Sequence, residues 1–200
     1  MKSSETKDFL GAKIGMWLFL FTEILLFGGL FILYAVYLSK YAVDFHNASK
    51  ELDVQIGTIN TLILITSSFF IALSITTLRL GKKKITSLLI FLTILSAIAF
   101  LINKYFEWTA KIFHGIYPDS THLMDLPKGE IVFYNLYYMM TGLHAFHVLV
   151  GIIILSVVSL MLVKNKIRAD NFIVLENAAL YWHLVDLIWI YLYPLFYLIV

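Results

Sequence analysis

Seven ionisable side chains interrupt otherwise apolar stretches of this sequence: Glu23, His144, His147, His183 and Asp186 lie deep within them, Glu107 and Glu176 nearer their ends. Such groups relay protons, ligate metals or join helices by hydrogen bonds. Their spacing narrows the choice. His144 and His147 are three apart, which puts both on one side of a helix, and His183 and Asp186 repeat the interval. Glu176 is seven before His183, on the same face. A di-iron carboxylate site needs paired Glu-x-x-His motifs, and no Glu here has a His three residues on. A bis-His haem needs ligands on opposite sides of a flat ring. The adjacent pair cannot supply both, so only His144 or His147 with His183 remains. The pattern favours helix–helix hydrogen bonds over haem or metal. Gly142 and Gly151 flank the histidine pair and allow close helix contact.

The elements that carry these groups follow from composition. Of 200 residues, 60% are hydrophobic and 14% charged. Ordinary soluble domains hold about 25% charged residues. This excludes a soluble single domain, a disordered chain and a nucleic-acid binder, and points to lipid as the solvent. A spanning helix needs about 20 apolar residues. Five stretches qualify, over about 14–39, 54–78, 85–108, 131–163 and 174–199. None alternates like a barrel strand, so the expected fold is an all-α bundle of five transmembrane helices forming one membrane domain over 1–200. Cysteine is absent, which excludes disulfides, thiolate metal sites and covalent c-type haem. The stretch from Lys2 to Lys13 reads as a short polar leader rather than a secretory signal.

Five crossings put the termini on opposite sides. Ten Lys and Arg then fall on the N-terminal side, including Lys13, Arg79, Lys82, Lys83, Lys84, Lys164 and Arg168. Five fall on the other: Lys40, Lys50, Lys104, Lys111 and Lys128. The positive-inside rule places the N-terminus in the cytoplasm and the C-terminus outside. Residues 40–53 and 104–130 are expected as outer loops, the second rich in turn residues. Trp17 and Trp108 fall near expected interfaces, where indoles anchor helices.

An ionisable residue inside a span is a functional hypothesis by default, because placing a charge there costs about 2.5–3.5 kcal/mol. Glu23 lies roughly 15 Å beyond Lys13 at helical rise, near mid-membrane. No span supplies it a Lys or Arg. It is therefore protonated, hydrogen-bonded to a His or hydroxyl, or in contact with water. The plain reading is a protonated Glu packed between helices, and the sharper one is a proton relay.

Three segments carry a resemblance. Residues 15–27, GMWLFLFTEILLF, resemble the helix of cytochrome c oxidase subunit III that bears its intramembrane Glu. Residues 141–151, TGLHAFHVLVG, resemble that family's T-G-x-H-x-x-H-V-x-x-G motif. Residues 176–189, ENAALYWHLVDLIW, resemble its E-x-x-x-x-Y-W-H-x-V-D-x-x-W motif. Asn60-Thr61 and Tyr105-Phe106-Glu107 match more weakly. The sequence is similar to the five-helix bacterial type. It lacks the first two helices of seven-helix members, has Ala145 where Gly is usual, and carries a longer 104–130 connection.

The resemblance implies a non-catalytic core subunit of a haem-copper terminal oxidase in the bacterial cytoplasmic membrane. That complex reduces O2 to water with proton pumping in aerobic respiration. Haem and copper belong to partner subunits, with none in this chain. Subunit I is the main implied contact, subunit II and other oxidase subunits further ones, and cytochrome c or quinol the donor to the complex. Bound phospholipid is implied, with Arg79, Lys82, Lys83, Lys84, Lys164 and Arg168 as candidate contacts for anionic head groups; equally, these cations only set topology. Glu23 is expected to meet His147 (or His183), His183 to meet Glu107 or a tyrosine, and Asp186 to meet a Ser, Thr or Tyr hydroxyl. Three other readings compete. A quinol oxidase subunit shares the motifs, and copper ligands in a neighbouring subunit II would separate it. Against a subunit III-like protein associated with nitric oxide reductase, the intramembrane Glu23 weakly favours the oxidase subunit. A transporter or channel needs broken helices at repeated positions, which Pro194 alone does not supply.

Overall fold

The computed structural model describes residues 9–169 and 171–198. Lys2 and Lys7 of the expected leader, and residue 199 of the fifth span, lie outside the described residues. The described chain is helical, with no strand. It comprises α1 (Phe9–Lys40), α2 (Ala42–Lys50), α3 (Val54–Arg79), α4 (Lys83–Phe113), α5 (Thr121–Met124), α6 (Lys128–Val163) and α7 (Ile173–Tyr193), with a π-helical turn at Pro194–Leu198. Five helices are long and apolar enough to cross a membrane: α1, α3, α4, α6, and α7 with its π-helical turn.

Local chemistry sets the boundaries. Asp53 caps α3, its carboxylate accepting from the Gln55 and Ile56 amides at 2.9 and 3.1 Å. Ser120 caps α5 by accepting from Leu123 N–H at 3.1 Å. Gly81 ends α3 and Gly115 ends α4 with φ of 73° and 75°, a region that favours glycine. Both α4 and α6 exceed 30 residues, more than the ~20 that span hydrocarbon; their surplus lies at the end that α2 and α5 cover.

The chain alternates direction, so one end of the bundle holds α2, α5 and the 114–127 connection (the capped end). The other holds the α1 start, the 80–82 turn and residues 164–172 (the basic end). Helices α3, α4, α6 and α7 close a ring in which each packs on the next, α7 returning to α3. Helix α1 lies outside that ring, against α6 and α7. At the capped end an aromatic core forms inside. Phe196 meets Tyr34, Phe133 and Tyr137 at centroid distances of 5.1, 5.6 and 5.5 Å, all edge to face. Outward-facing Phe69, Phe91 and Ile153 are exposed, as lipid-facing side chains are.

Two expected loops differ. Within 40–53, residues 42–50 form helix α2, with Asp44 in its first turn and Lys50 in its last, matching the helix dipole. The third span does not end near Asn103 or Trp108: α4 runs to Phe113 and takes Lys104 and Lys111 with it. Both lysines are buried because they find partners. Lys111 donates to the Glu51 carbonyl at 3.0 Å, and Lys104 enters a cluster described below.

Candidate functional site

Glu23 and His147 meet as expected. Glu23 Oε2 lies 2.9 Å from His147 Nε2, joining α1 to α6 with both side chains mostly buried. The other ring nitrogen fixes the proton count. His147 Nδ1 is 2.8 Å from the Leu143 carbonyl, which only accepts, so Nδ1 carries a hydrogen and donates it. One further proton is then shared along the Nε2–Oε2 contact. Neutral acid with imidazole and carboxylate with imidazolium are its two forms, with no net charge in either. Phe27, one turn beyond Glu23, stands edge-on to His147 at 5.4 Å. Tyr181 donates to the His147 carbonyl at 3.0 Å, tying α7 to the same turn.

His183 takes another partner. Its Nδ1 lies 2.7 Å from Ser68 Oγ on α3, not beside Glu107 or a tyrosine. The reason is register. Down α3 and up α7, four pairs follow in step: Thr58 with Tyr193 at 2.6 Å, Thr61 with Trp189 at 3.0 Å, Ser67 with Trp182 at 3.0 Å, and Ser68 with His183. The small hydroxyls of α3 receive the large polar rings of α7. Gly57 leaves room for Tyr193 and Tyr197 at the top of this seam; a Cβ there would stand 2.9 Å from each ring. Gly151 does the same for Trp182, at 2.7 Å. Gly142 is less tight, with Trp108 at 3.5 Å.

Asp186 and His144 are buried without hydrogen bonds. Neither carboxyl oxygen of Asp186 has a partner among the described residues, and neither ring nitrogen of His144 has one. Asp186 interacts with Ser68 at longer range, but that hydroxyl spends its short contact on His183. His144 packs between Phe100 and Trp189 at 5.5 and 5.3 Å. Buried orphan groups of this kind are commonly met by internal water. Asn60 completes this interior, accepting from Asn103 on α4 at 2.9 Å.

Glu107 sits in a cluster that residue spacing did not reveal. Tyr137 and Tyr197 both donate to its Oε1, at 2.5 and 2.6 Å. Lys104 donates to its Oε2 at 3.2 Å and to the two phenol oxygens at 3.1 and 3.0 Å. The Lys104 and Glu107 side chains are each 3% exposed. The i, i+3 interval of Lys104 and Glu107 was the available signal, hidden because Lys104 was counted among the outer-side cations at the end of the third span.

Glu176 is an end-pin at the basic end. It pairs with Arg79 at 2.7 Å and Lys13 at 3.2 Å, linking α1, α3 and α7. Arg79 also lies over Phe172, 4.8 Å from its centroid. Lys83 bonds the Asn165 side chain. Of the six candidate lipid contacts, Arg79 and Lys83 are thus engaged by protein side chains, Arg168 donates its Nε hydrogen to the Asn165 carbonyl at 3.1 Å, and Lys82, Lys84, Lys164 and Arg168 are exposed. A groove of about 290 Å³ between α1, α6 and α7 is lined by Met16, Phe19, Val150, Ile154, Ala178 and Tyr181, among others.

The family model described as cytochrome c oxidase subunit III matches residues 4–199. The chain is 28% identical to a heme-copper oxidase subunit I+III of Aeropyrum pernix, over 94% of this chain and 22% of that longer protein. It is 30% identical to a cytochrome c oxidase subunit 3 of Thermostichus vulcanus, over 93% of this chain and 86% of the relative. A probable quinol oxidase subunit 3 of Staphylococcus saprophyticus is 26% identical, over 94% and 88%. With the family model matched over nearly the whole chain, the chain belongs to the cytochrome c oxidase subunit III family.

Proposed function

We propose that this chain is the non-catalytic subunit III of a haem-copper terminal oxidase, holding subunit I in a bacterial cytoplasmic membrane. The observation that carries the reading is the Glu23–His147 pair, made by two of the three family-like segments. Oxygen reduction and proton pumping then belong to partner subunits with haem and copper. The subunit I+III of Aeropyrum pernix supports subunit I as the nearest partner. The N-terminal, basic end faces the cytoplasm under the positive-inside rule.

His147 and His183 suit structural support rather than metal or haem ligation. His147 and His183 spend ring nitrogens on Glu23, the Leu143 carbonyl and Ser68. The Glu23–His147 proton lies at mid-membrane, where polar links fix helix register and a shared proton can move without net charge. Phospholipid suits both the groove between α1, α6 and α7 and the exposed cations Lys82, Lys84, Lys164 and Arg168 at the same end. Replacing Glu23 with Gln and with Ala in the assembled complex tests this. Lower complex stability, turnover or proton uptake is expected for Glu23→Ala; all three unchanged in both variants overturns the reading.

Cytochrome c is the expected electron donor. The quinol oxidase relative, of which this chain covers 88%, supports quinol as the second reading. Copper in the co-purified subunit II decides for cytochrome c; its absence decides for quinol.

A further inference from the structure

At the capped end two phenols share one proton acceptor, Glu107 Oε1, at 2.5 and 2.6 Å. Lys104 uses its ammonium hydrogens on Glu107 Oε2 and both phenol oxygens. No donor in this cluster is left over. One-electron oxidation turns a phenol into a strong acid, so electron and proton must leave together. A carboxylate already at hydrogen-bond distance takes the proton with little movement of heavy atoms. The neighbouring indole is disfavoured as the resting place of a hole. The Lys104 ammonium stands 5.3 Å from the Trp189 centroid, and would repel an indole radical cation. A neutral phenoxyl carries no such charge. From the phenols, ring contacts lead toward the rim: Tyr197 stacks on half-buried Tyr193 at 5.6 Å, and Tyr137 meets Tyr138 edge to face at 5.3 Å.

We propose that Tyr137 and Tyr197, with Glu107 as proton acceptor, form a redox-active pair that traps oxidising equivalents delivered by lipid peroxyl radicals at Tyr193. The peroxyl radical takes the hydrogen atom of the Tyr193 hydroxyl, giving lipid hydroperoxide and a Tyr193 phenoxyl. Tyr197 passes one electron to Tyr193 across the stacked rings, and its phenol proton moves to Glu107 Oε1. Tyr193 regains a proton from water at the rim, where its hydroxyl meets exposed Thr58 at 2.6 Å. A one-electron donor of the ascorbate class then restores Tyr197, and Glu107 returns its proton. In sum one peroxyl radical, one electron and one proton become one hydroperoxide. A pocket of about 500 Å³, lined in part by Glu51, Asp53, Lys111 and His122, reaches Glu107 from the capped end and opens the cluster to water. The inference needs only that the chain sits in lipid, not that it serves an oxidase.

The test uses the native complex in vesicles of polyunsaturated phosphatidylcholine with a lipid-soluble azo initiator. Freeze-quenched electron paramagnetic resonance should show a phenoxyl signal that narrows with ring-deuterated tyrosine. The signal should fall severalfold in the Tyr137→Phe/Tyr197→Phe double variant, while oxidation products at Tyr193 and Trp108 rise severalfold by peptide mass spectrometry. Tyr193→Phe, a change nearer the surface that leaves the buried cluster whole, should slow signal formation severalfold. No phenoxyl signal in the unmodified protein, or one unchanged in either variant, overturns the proposal.

Discussion

Helices α1 and α7 are both long and apolar, yet the bundle treats them differently. The most apolar window of α1 is 11% buried, and that of the α7 segment is 56% buried. Helix α7 carries Trp182, His183, Asp186 and Trp189, and is the less apolar of the two. Its rings meet four hydroxyls of α3. Helix α1 holds on by Glu23, by Lys13 at one end, and by Tyr34, whose hydroxyl donates to the Leu195 carbonyl at 2.5 Å. In lipid, apolar surface gains little by leaving its surroundings. Attachment follows polar links and small-residue contacts instead. The contrast between ring and outlier is therefore a contrast in partners.

The strongest test of that contrast lies in the ring. Lys104→Met strips the cation from Glu107 in a buried site, and should cost about 3–5 kcal/mol. Thermal unfolding in detergent should show it, and adding Glu107→Gln should recover most of the loss. A Lys104→Met change no worse than Glu23→Ala would erase the distinction. Next comes Gly151→Ala, whose Cβ meets the rigid Trp182 ring; overpacking of this kind costs about 1–3 kcal/mol. Gly29→Ala in α1 has open space around it, and equal losses at the two glycines would break the argument. Glu23→Ala should release α1 locally, at about 0.6–2 kcal/mol, seen as faster proteolysis or lost cross-linking between α1 and α6. Glu23→Gln should keep the link, because its amide can donate to His147 Nε2. Smallest is Ser68→Ala, about 0.6 kcal/mol, read in the same unfolding assay. A larger loss there than at Gly151 would mean that single hydroxyls, not close packing, hold the ring.

The five spans were legible because apolar runs bounded by basic residues have one physical reading. The Glu23–His147 junction was anticipated too, since a mid-membrane carboxyl needs a partner and the family-like segments offered His147, with His183 as the alternative. Two features were not. Lys104 reads as a loop residue because an ammonium in lipid is normally prohibitive; only Glu107, Tyr137 and Tyr197, the last 93 residues away from Lys104 in sequence, make it tolerable. His183 found Ser68 rather than Glu107 because serines and threonines are many in α3, and antiparallel register rather than residue type chooses among them. Helix α2 was hidden for a similar reason: its polar sequence resembles a loop until it packs on α6.

The Glu23–His147 pair has a consequence for the order in which the chain is made. Its two members are 124 residues apart. Glu23 emerges from the ribosome and enters the membrane with its helix long before His147 exists. The second tether, Lys13 to Glu176, waits longer still. Helix α1 must therefore spend most of synthesis as a lone span with an unmatched carboxyl, and docks only when α6 and α7 arrive. Of the five described spans, α1 is made before the others and is among the last to join, and a chain truncated before residue 147 should leave it adrift in the bilayer.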